Sequence, residues 1–404
     1  MPKFTDISES RRHFLKLGSL ALGSFLLGPL AKAGPAQPGA SSLYDRLDLL
    51  GPLMPPDANG ISVPAGFSTR LIAQSGQPVL PNNNYIWHRA PDGGATFATA
   101  DGGWIYVSNS EIKNQGGGAG ALRFNRQGQI TDAYPILRGT NKNCAGGKTP
   151  WNTWLSCEET ATGLVYECDP FGQRPAIVRP ALGRFKHEAV AVDPSRGHLY
   201  LTEDVADGGF YRFTPDRGLP DLSSGTLEIA EVINTAATAK ITWHKVPDPT
   251  AAHTETRYQV QNASRFNGGE GLAWTEGIVY FTTKGDNRVW RHHIQDGHID
   301  TLYDLSTSNT PVLSGVDNIV ITASGDLLVA EDGGDMQIVL LTPAGKVIPV
   351  LQVNGQDESE ICGPAFSPNF DRLYFSSQRG PLGKNADGRI YEVSYTGTDS
   401  RASA

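Results

Sequence analysis

The stretch DNIVITASGDLLVAEDGGDMQIVLLTPAGKVIPVLQV, Asp317–Val353, decides how the rest of the chain is read. It holds four short apolar runs, DNIVITA, DLLVAED, QIVLLT and KVIPVLQV, with turn sequences such as ASG and PAG between them. Runs of this length, rich in Val, Ile and Leu and bounded by Gly, Asp and Pro, predict strands joined by tight turns. Four antiparallel strands in one such unit make a blade of a β-propeller.

The second run of this unit recurs. GGWIYVSNSE from Gly102, NTWLSCEE from Asn152, GHLYLTED from Gly197, GIVYFTTKGD from Gly277 and DRLYFSSQRG from Asp371 all align with GDLLVAEDGG from Gly325. Four of the five intervals are 45–50 residues, and the third is 80, which an insertion over roughly 217–262 explains. The repeats predict an all-β chain, a six-bladed β-propeller with four-stranded antiparallel blades over residues 51–396. A β-sandwich, or two smaller β domains, is the competing arrangement for short strands with regular turns.

Residues 1–33 read as an address. Ser10-Arg11-Arg12-His13-Phe14-Leu15-Lys16 is a twin-arginine signature, followed by an apolar stretch from Leu17 to Leu30 and the cleavage-type sequence Ala31-Lys32-Ala33. The apolar run is too short for a comfortable span, so no stable membrane anchor is expected. The protein is expected to leave the cytoplasm folded, through the twin-arginine translocation machinery, for the periplasm or the medium. That route often accompanies a cofactor inserted before export. Residues 34–50 read as a linker and 397–404 as a tail. The formal net charge of −8 argues against a nucleic-acid partner, and a closed ring of blades suggests a monomer. Four cysteines, Cys144, Cys157, Cys168 and Cys362, allow a cross-strand disulfide between Cys157 and Cys168, which flank a predicted turn.

In a propeller the first strand of each blade lines the central channel, and its start shares a face with the end of the second strand. The six first strands begin PDGGATF (Asp92), NCAGGKTPW (Asn143, Cys144), FKHEAVAV (His187, Glu188), GGEGLAW (Glu270), GVDNIVI (Asp317, Asn318) and SEICGPAF (Glu360). The second strands end in Asn109 and Glu111, Glu158 and Glu159, Glu203 and Asp204, Lys284 and Asp286, Glu331 and Asp332, and Gln378 and Arg379. Carboxylates crowded at one mouth raise one another's pKa and oppose folding unless cations compensate them. Carboxylate and Asn oxygens suit several Ca²⁺ ions. The Cys144 thiolate suits iron or zinc, which places a transition metal beside calcium. No CxxC or HExxH spacing supports a structural zinc site.

NCAGGKTPWNTWLSCEE, GRFKHEAVAVDPSRGHLYLTEDVADGGFYRF, GVDNIVITASGDLLVAEDG and CGPAFSPNFDRLYFSSQRG together resemble the PhoX-type alkaline phosphatase family over roughly residues 50–396. The resemblance implies an exported six-bladed propeller that hydrolyses phosphate monoesters with calcium and a pair of iron ions. It implies a metal-binding role for Cys144, in the NCA-G-TPW motif, and functional roles for Asn109 and Glu111. It also implies carboxylate or amide ligands from Glu203 and Asp204, Glu270, Asp317 and Asn318, and Glu360. The chain departs from the family in carrying Gly268-Gly269 where a basic residue precedes the carboxylate, in its shorter length and in its SSQRG end. Arg379, Lys284 and Arg288 are the candidate phosphate-holding cations in compensation.

These readings converge on metal-assisted transfer from a small-molecule phosphate ester. Asn109, Glu111 and Arg379 are the candidate catalytic residues. Cys144, Glu158, Glu159, Glu188, Glu203, Asp204, Glu270, Asp317, Asn318, Glu331, Asp332 and Glu360 are the candidate ligands for Ca²⁺ and, through Cys144, Fe³⁺. His187 is as well suited to support a ligand as to be one. The rival readings are a calcium-dependent lactonase or esterase, and a binding propeller in which calcium is structural.

Overall fold

The computed structural model describes residue 47 and residues 50–235 and 238–395. The leader, most of the 34–50 linker and the 397–404 tail lie outside the described residues.

Among the described residues the strands form six antiparallel sheets, each ordered from one inner strand outward. Blade 1 runs Pro91–Ala98, Trp104–Ser110, Gly117–Phe124 and Ile130–Thr140, and blade 2 runs Asn143–Lys148, Trp154–Glu158, Val165–Cys168 and Ile177–Val178. Blade 3 runs His187–Asp193, His198–Glu203, Phe210–Pro215, Gly225–Asn234 and Ala239–Lys245. The 217–262 stretch thus supplies the fourth strand of its blade as well as a fifth. Blade 4 runs Gly269–Thr275, Ile278–Thr283, Arg288–His293 and Ile299–Asp304. Blade 5 runs Val316–Ile321, Leu327–Glu331, Gln337–Leu341 and Val347–Val353, with Ile61–Ser62 added outside.

Blade 6 has only three strands of its own, Ile361–Phe366, Arg372–Ser377 and Arg389–Tyr395. Its outer strand is Phe67–Gln74, which pairs with Arg389–Tyr395 from the other end of the chain. This pairing ties the first and last parts of the propeller together within one sheet and satisfies an edge that would otherwise stand open.

The second strands are apolar on both faces because each blade is packed between two others. Six hydrophobic clusters fill the six gaps between neighbouring blades. Tyr106 and Val107 show the division. Tyr106 packs with Tyr374 of blade 6, and the next residue, Val107, packs with Trp154 of blade 2. Period-2 alternation sends adjacent side chains to opposite gaps.

The same rule removes the expected Cys157–Cys168 disulfide. Cys157 pairs with Val165 and Cys168 with Trp154, so the two cysteines are not opposite one another. Cys157 faces blade 3 and Cys168 faces blade 1, and all four cysteines are free thiols.

Each inner strand carries one extra residue relative to its partner near its start, for example between Pro91↔Ser110 and Gly94↔Ser108. Such a bulge re-aims the side chains beside it. Glycine occupies the position after the re-aimed residue in three blades, and space requires it. A Cβ on Gly93 would lie 2.6 Å from Ala145 Cα, and one on Gly271 would lie 2.6 Å from Ile319 N.

Candidate metal centre

Counting from the residue of each inner strand that pairs with the end of the second strand, the next position holds Asp92, Cys144, Glu188, Glu270, Asp317 and Cys362. The residue that follows each second strand is Glu111, Glu159, Asp204, Lys284, Asp332 or Gln378. The first five members of each ring line one cavity of about 200 Å³, together with Glu360, Lys142 and Arg379. Nine carboxylates there face three cationic side chains, a formal excess of six negative charges.

Three groups bring their ligand atoms within 4.8 Å of one another: Asp92, Glu111 and Cys144; Asp92, Glu360 and Cys362; and Glu188, Glu270 and Asp317. Burial pushes the Glu188, Glu270, Asp317 and Glu360 carboxyls well above their ordinary values, with further contributions from neighbouring carboxylates. Burial also pushes up the thiols of Cys144 and Cys362, and the carboxylates around them add to it. The Asp332 carboxylate adds to the shift at Glu360.

Glu188 is the decisive residue. It is fully buried, and neither carboxylate oxygen has a hydrogen-bond partner among the described residues. A buried carboxylate without a partner costs several kcal/mol, and a bound cation removes that cost. Oxygen donors in excess, with thiols at one side, fit hard cations together with a softer transition metal.

The cationic side chains bridge the carboxylates. Lys142 Nζ lies 2.8 Å from Glu111 Oε1 and also pairs with Glu159, while Lys186 Nζ lies 2.6 Å from Glu159 Oε1 and 2.8 Å from Asp204 Oδ2. Lys284 Nζ lies 2.8 Å from Glu270 Oε1 and 3.1 Å from Asp332 Oδ2, and Arg379 Nη2 lies 2.9 Å from Glu360 Oε1. Gln378 Nε2 donates to Asp92 Oδ2 and Glu111 Oε2. Arg288 is not at the cavity and is paired with Asp286 and Asp304. Gly268, which stands where a family basic residue is expected, has φ +71°, a conformation that favours glycine. Lys142 and Lys186 hold the corresponding positions in blades 2 and 3.

Ten of the fifteen candidate catalytic and ligand residues from the sequence line this cavity, Glu111, Arg379, Cys144, Glu159, Glu188, Asp204, Glu270, Asp317, Asp332 and Glu360, and so does the candidate phosphate-holding cation Lys284. Five stand behind its wall. Asn109 donates from Nδ2 to the Cys144 and Ala145 carbonyls, and its Oδ1 accepts from Trp154 Nε1 and Ser156 Oγ. Its amide is fully used in bracing blade 1 to blade 2, and it positions Cys144 through the backbone. Glu158 accepts from the Asn141 and Leu164 N–H groups, and Glu331 from those of Ser314 and Gln337. Glu203 accepts from Gly209 N, Tyr211 Oη and Arg257 Nη1. Asn318 donates to Asp317 Oδ1 and accepts from Gly363 N. In each Glu-Glu or Glu-Asp pair, alternation turns the first acid into the blade, where it caps a loop, and the second toward the axis.

Sequence reasoning missed Cys362, Lys142 and the bridging role of Gln378. For Cys362 the signal was present, because ICG occupies the place that NCA occupies in blade 2. His187 is turned into the wall, with Nε2 3.1 Å from the Gly183 carbonyl. Burial lowers its pKa to about 3 and keeps the ring neutral.

The sequence matches the family model described as alkaline phosphatase PhoX over residues 90–168, 160–300 and 284–380. The chain belongs to the PhoX family of alkaline phosphatases. The PhoX architecture extends across the propeller. Pseudomonas fluorescens PhoX in complex with vanadate, a transition state analogue, is 18% identical, with a TM-score of 0.73 over 86% of this chain and 98% of that one. A gluconolactonase from Xanthomonas campestris is 14% identical over 85% of this chain and 97% of its own, with a TM-score of 0.49. A search of curated protein sequences finds no match. The PhoX membership expected from the motifs is borne out. It makes the protein a metal-dependent phosphatase, a phosphoric monoester hydrolase, in preference to a lactonase or a purely structural propeller.

Proposed function

We propose that the protein hydrolyses small-molecule phosphate esters outside the cytoplasm, at a channel-mouth centre that holds calcium together with ferric iron bound through Cys144. The observation that carries this reading is the unpartnered Glu188 carboxylate, in a cavity with an excess of six negative charges and a thiol on its wall. Asp92, Glu111, Cys144, Glu159, Glu188, Asp204, Glu270, Asp317, Asp332 and Glu360 are the proposed ligands. When bound, the cations supply Lewis-acid neutralisation of the charge that grows on the phosphoryl oxygens.

The chain's own residues bind and orient the ester. Arg379, one-third exposed at the lip, presents a planar fork that matches two phosphoryl oxygens. Lys142 and Lys284 add point charges on either side. Glu111, held between Lys142 and Gln378, faces the cavity beside Asp92 and Cys144. Asn109 keeps the Cys144 strand in place.

Elemental analysis of protein purified through its own export route, with a p-nitrophenyl phosphate assay in calcium, tests the proposal. Bound iron and calcium are expected, with turnover lost in Cys144→Ala. Calcium without iron, and no phosphate release, would overturn it.

A further inference from the structure

We infer that Cys362 is a second thiolate donor at this centre, holding with Asp92 and Glu360 a transition-metal ion next to the one held by Asp92, Glu111 and Cys144. The inference rests on the metal reading above.

Three observations lead to it. Cys362 occupies the blade 6 position of the axial ring whose other five members, Asp92, Cys144, Glu188, Glu270 and Asp317, all line the cavity. Its Sγ lies within 4.8 Å of carboxylate oxygens of Asp92 and Glu360, and it is buried and free of any disulfide. The unpartnered, fully buried Glu188 independently marks the same cavity as one built around cations.

Blade order gives the arrangement its meaning. Blades 6, 1 and 2 are consecutive, so the two thiols flank Asp92, which belongs to both clusters. Asp92 Oδ1 accepts from Gly93 N and Oδ2 from Gln378 Nε2. A carboxylate has about four acceptor directions, which leaves each oxygen one for a cation. Asp92 is thereby suited to bridge two ions. The cluster across the cavity, Glu188, Glu270 and Asp317, has oxygen donors alone. Thiolates favour transition metals and oxygens favour calcium, so the ring sorts its ions by sector. On binding, each cysteine gives up its thiol proton to solvent and keeps its electron pair for the metal.

The test compares holoprotein of the wild type with Cys144→Ser, Cys362→Ser and Cys362→Ala, using X-ray absorption at the iron edge, iron content and the visible thiolate-to-iron absorption. Two iron–sulfur bonds per chain, the sulfur coordination number multiplied by the iron content, are expected in the wild type and one in each single-cysteine variant, with a changed visible band and loss of about half the iron in both Cys362 variants. Thermal unfolding of the metal-stripped forms shows that the variants fold, and agreement between Ser and Ala separates loss of a ligand from local misfolding. An unchanged sulfur count and band in the Cys362 variants, with Cys144→Ser still losing its sulfur, would refute the role of Cys362 and leave the metal reading standing. Absence of transition metal from the wild type would overturn both.

Discussion

Removing the cations should make the stability of this protein fall steeply with rising pH. The perturbation is chelation. What remains is a buried cluster in which Glu188, Glu270, Asp317 and Glu360 all have carboxyl pKa values raised by burial and by the carboxylates around them. In the unfolded chain these groups ionise near 4, so above that pH the folded state holds protons that the unfolded state has released. Groups with raised folded values stabilise the fold below the unfolded pKa, and that contribution is lost as pH rises toward the folded pKa. Each retained proton changes stability by about 1.4 kcal/mol per pH unit. A single carboxyl that keeps its proton over one and a half pH units contributes about 2 kcal/mol of that fall, a sizeable share of the ~5–15 kcal/mol of a typical domain. Calorimetric melting of chelated protein across pH 5.5–8 should show a falling Tm, flattened by added calcium. Glu188→Gln, which removes one of these protons, should lessen the slope of the chelated form. A chelated protein with a flat or rising Tm over that range would mean that the carboxylates are compensated from within, and the argument for bound cations would fail.

Asn109→Ala should cost about 3 kcal/mol, because four partners lose their bond at once and an unsatisfied buried group costs ~1–3 kcal/mol. Denaturant unfolding measures this, and retained activity at full stability would contradict the bracing role. Arg257→Ala should destabilise by about 3–5 kcal/mol by leaving Glu203, fully buried, without its ion-pair partner; Arg257→Ala with Glu203→Gln should recover part of that. Gly363→Ala combines φ +58° with a Cβ 2.7 Å from Gly94 N and 2.9 Å from the Asp92 carbonyl, so a loss of about 2–4 kcal/mol and a lower metal content are expected. Deleting residues through Gln74 removes the outer strand of blade 6 and should abolish cooperative melting, as read by calorimetry.

The blades were legible because each is a local object. Leu327–Glu331 pairs with residues no more than 15 positions away in sequence, and its two packed faces force the apolar run that the repeat search detects. The candidate site was over-read for a related reason. Position in a repeat locates the end of a strand, yet Glu158 and Glu159 share that position, and only the alternation of the folded strand sends Glu159 to the axis and Glu158 to a loop. Cys157 and Cys168 looked like a cross-strand pair until the register set them on opposite faces.

By itself the sequence determined the six-fold β architecture and a mouth rich in carboxylates, since strand propensity and repeat length are local properties. Only the tertiary structure decided which acids meet in one cavity, that Cys362 stands across Asp92 from Cys144, and that Phe67–Gln74 completes the last blade. Those facts depend on contacts between residues hundreds of positions apart, such as Phe67 with Tyr395, and on a bulge that turns one side chain per blade toward the axis.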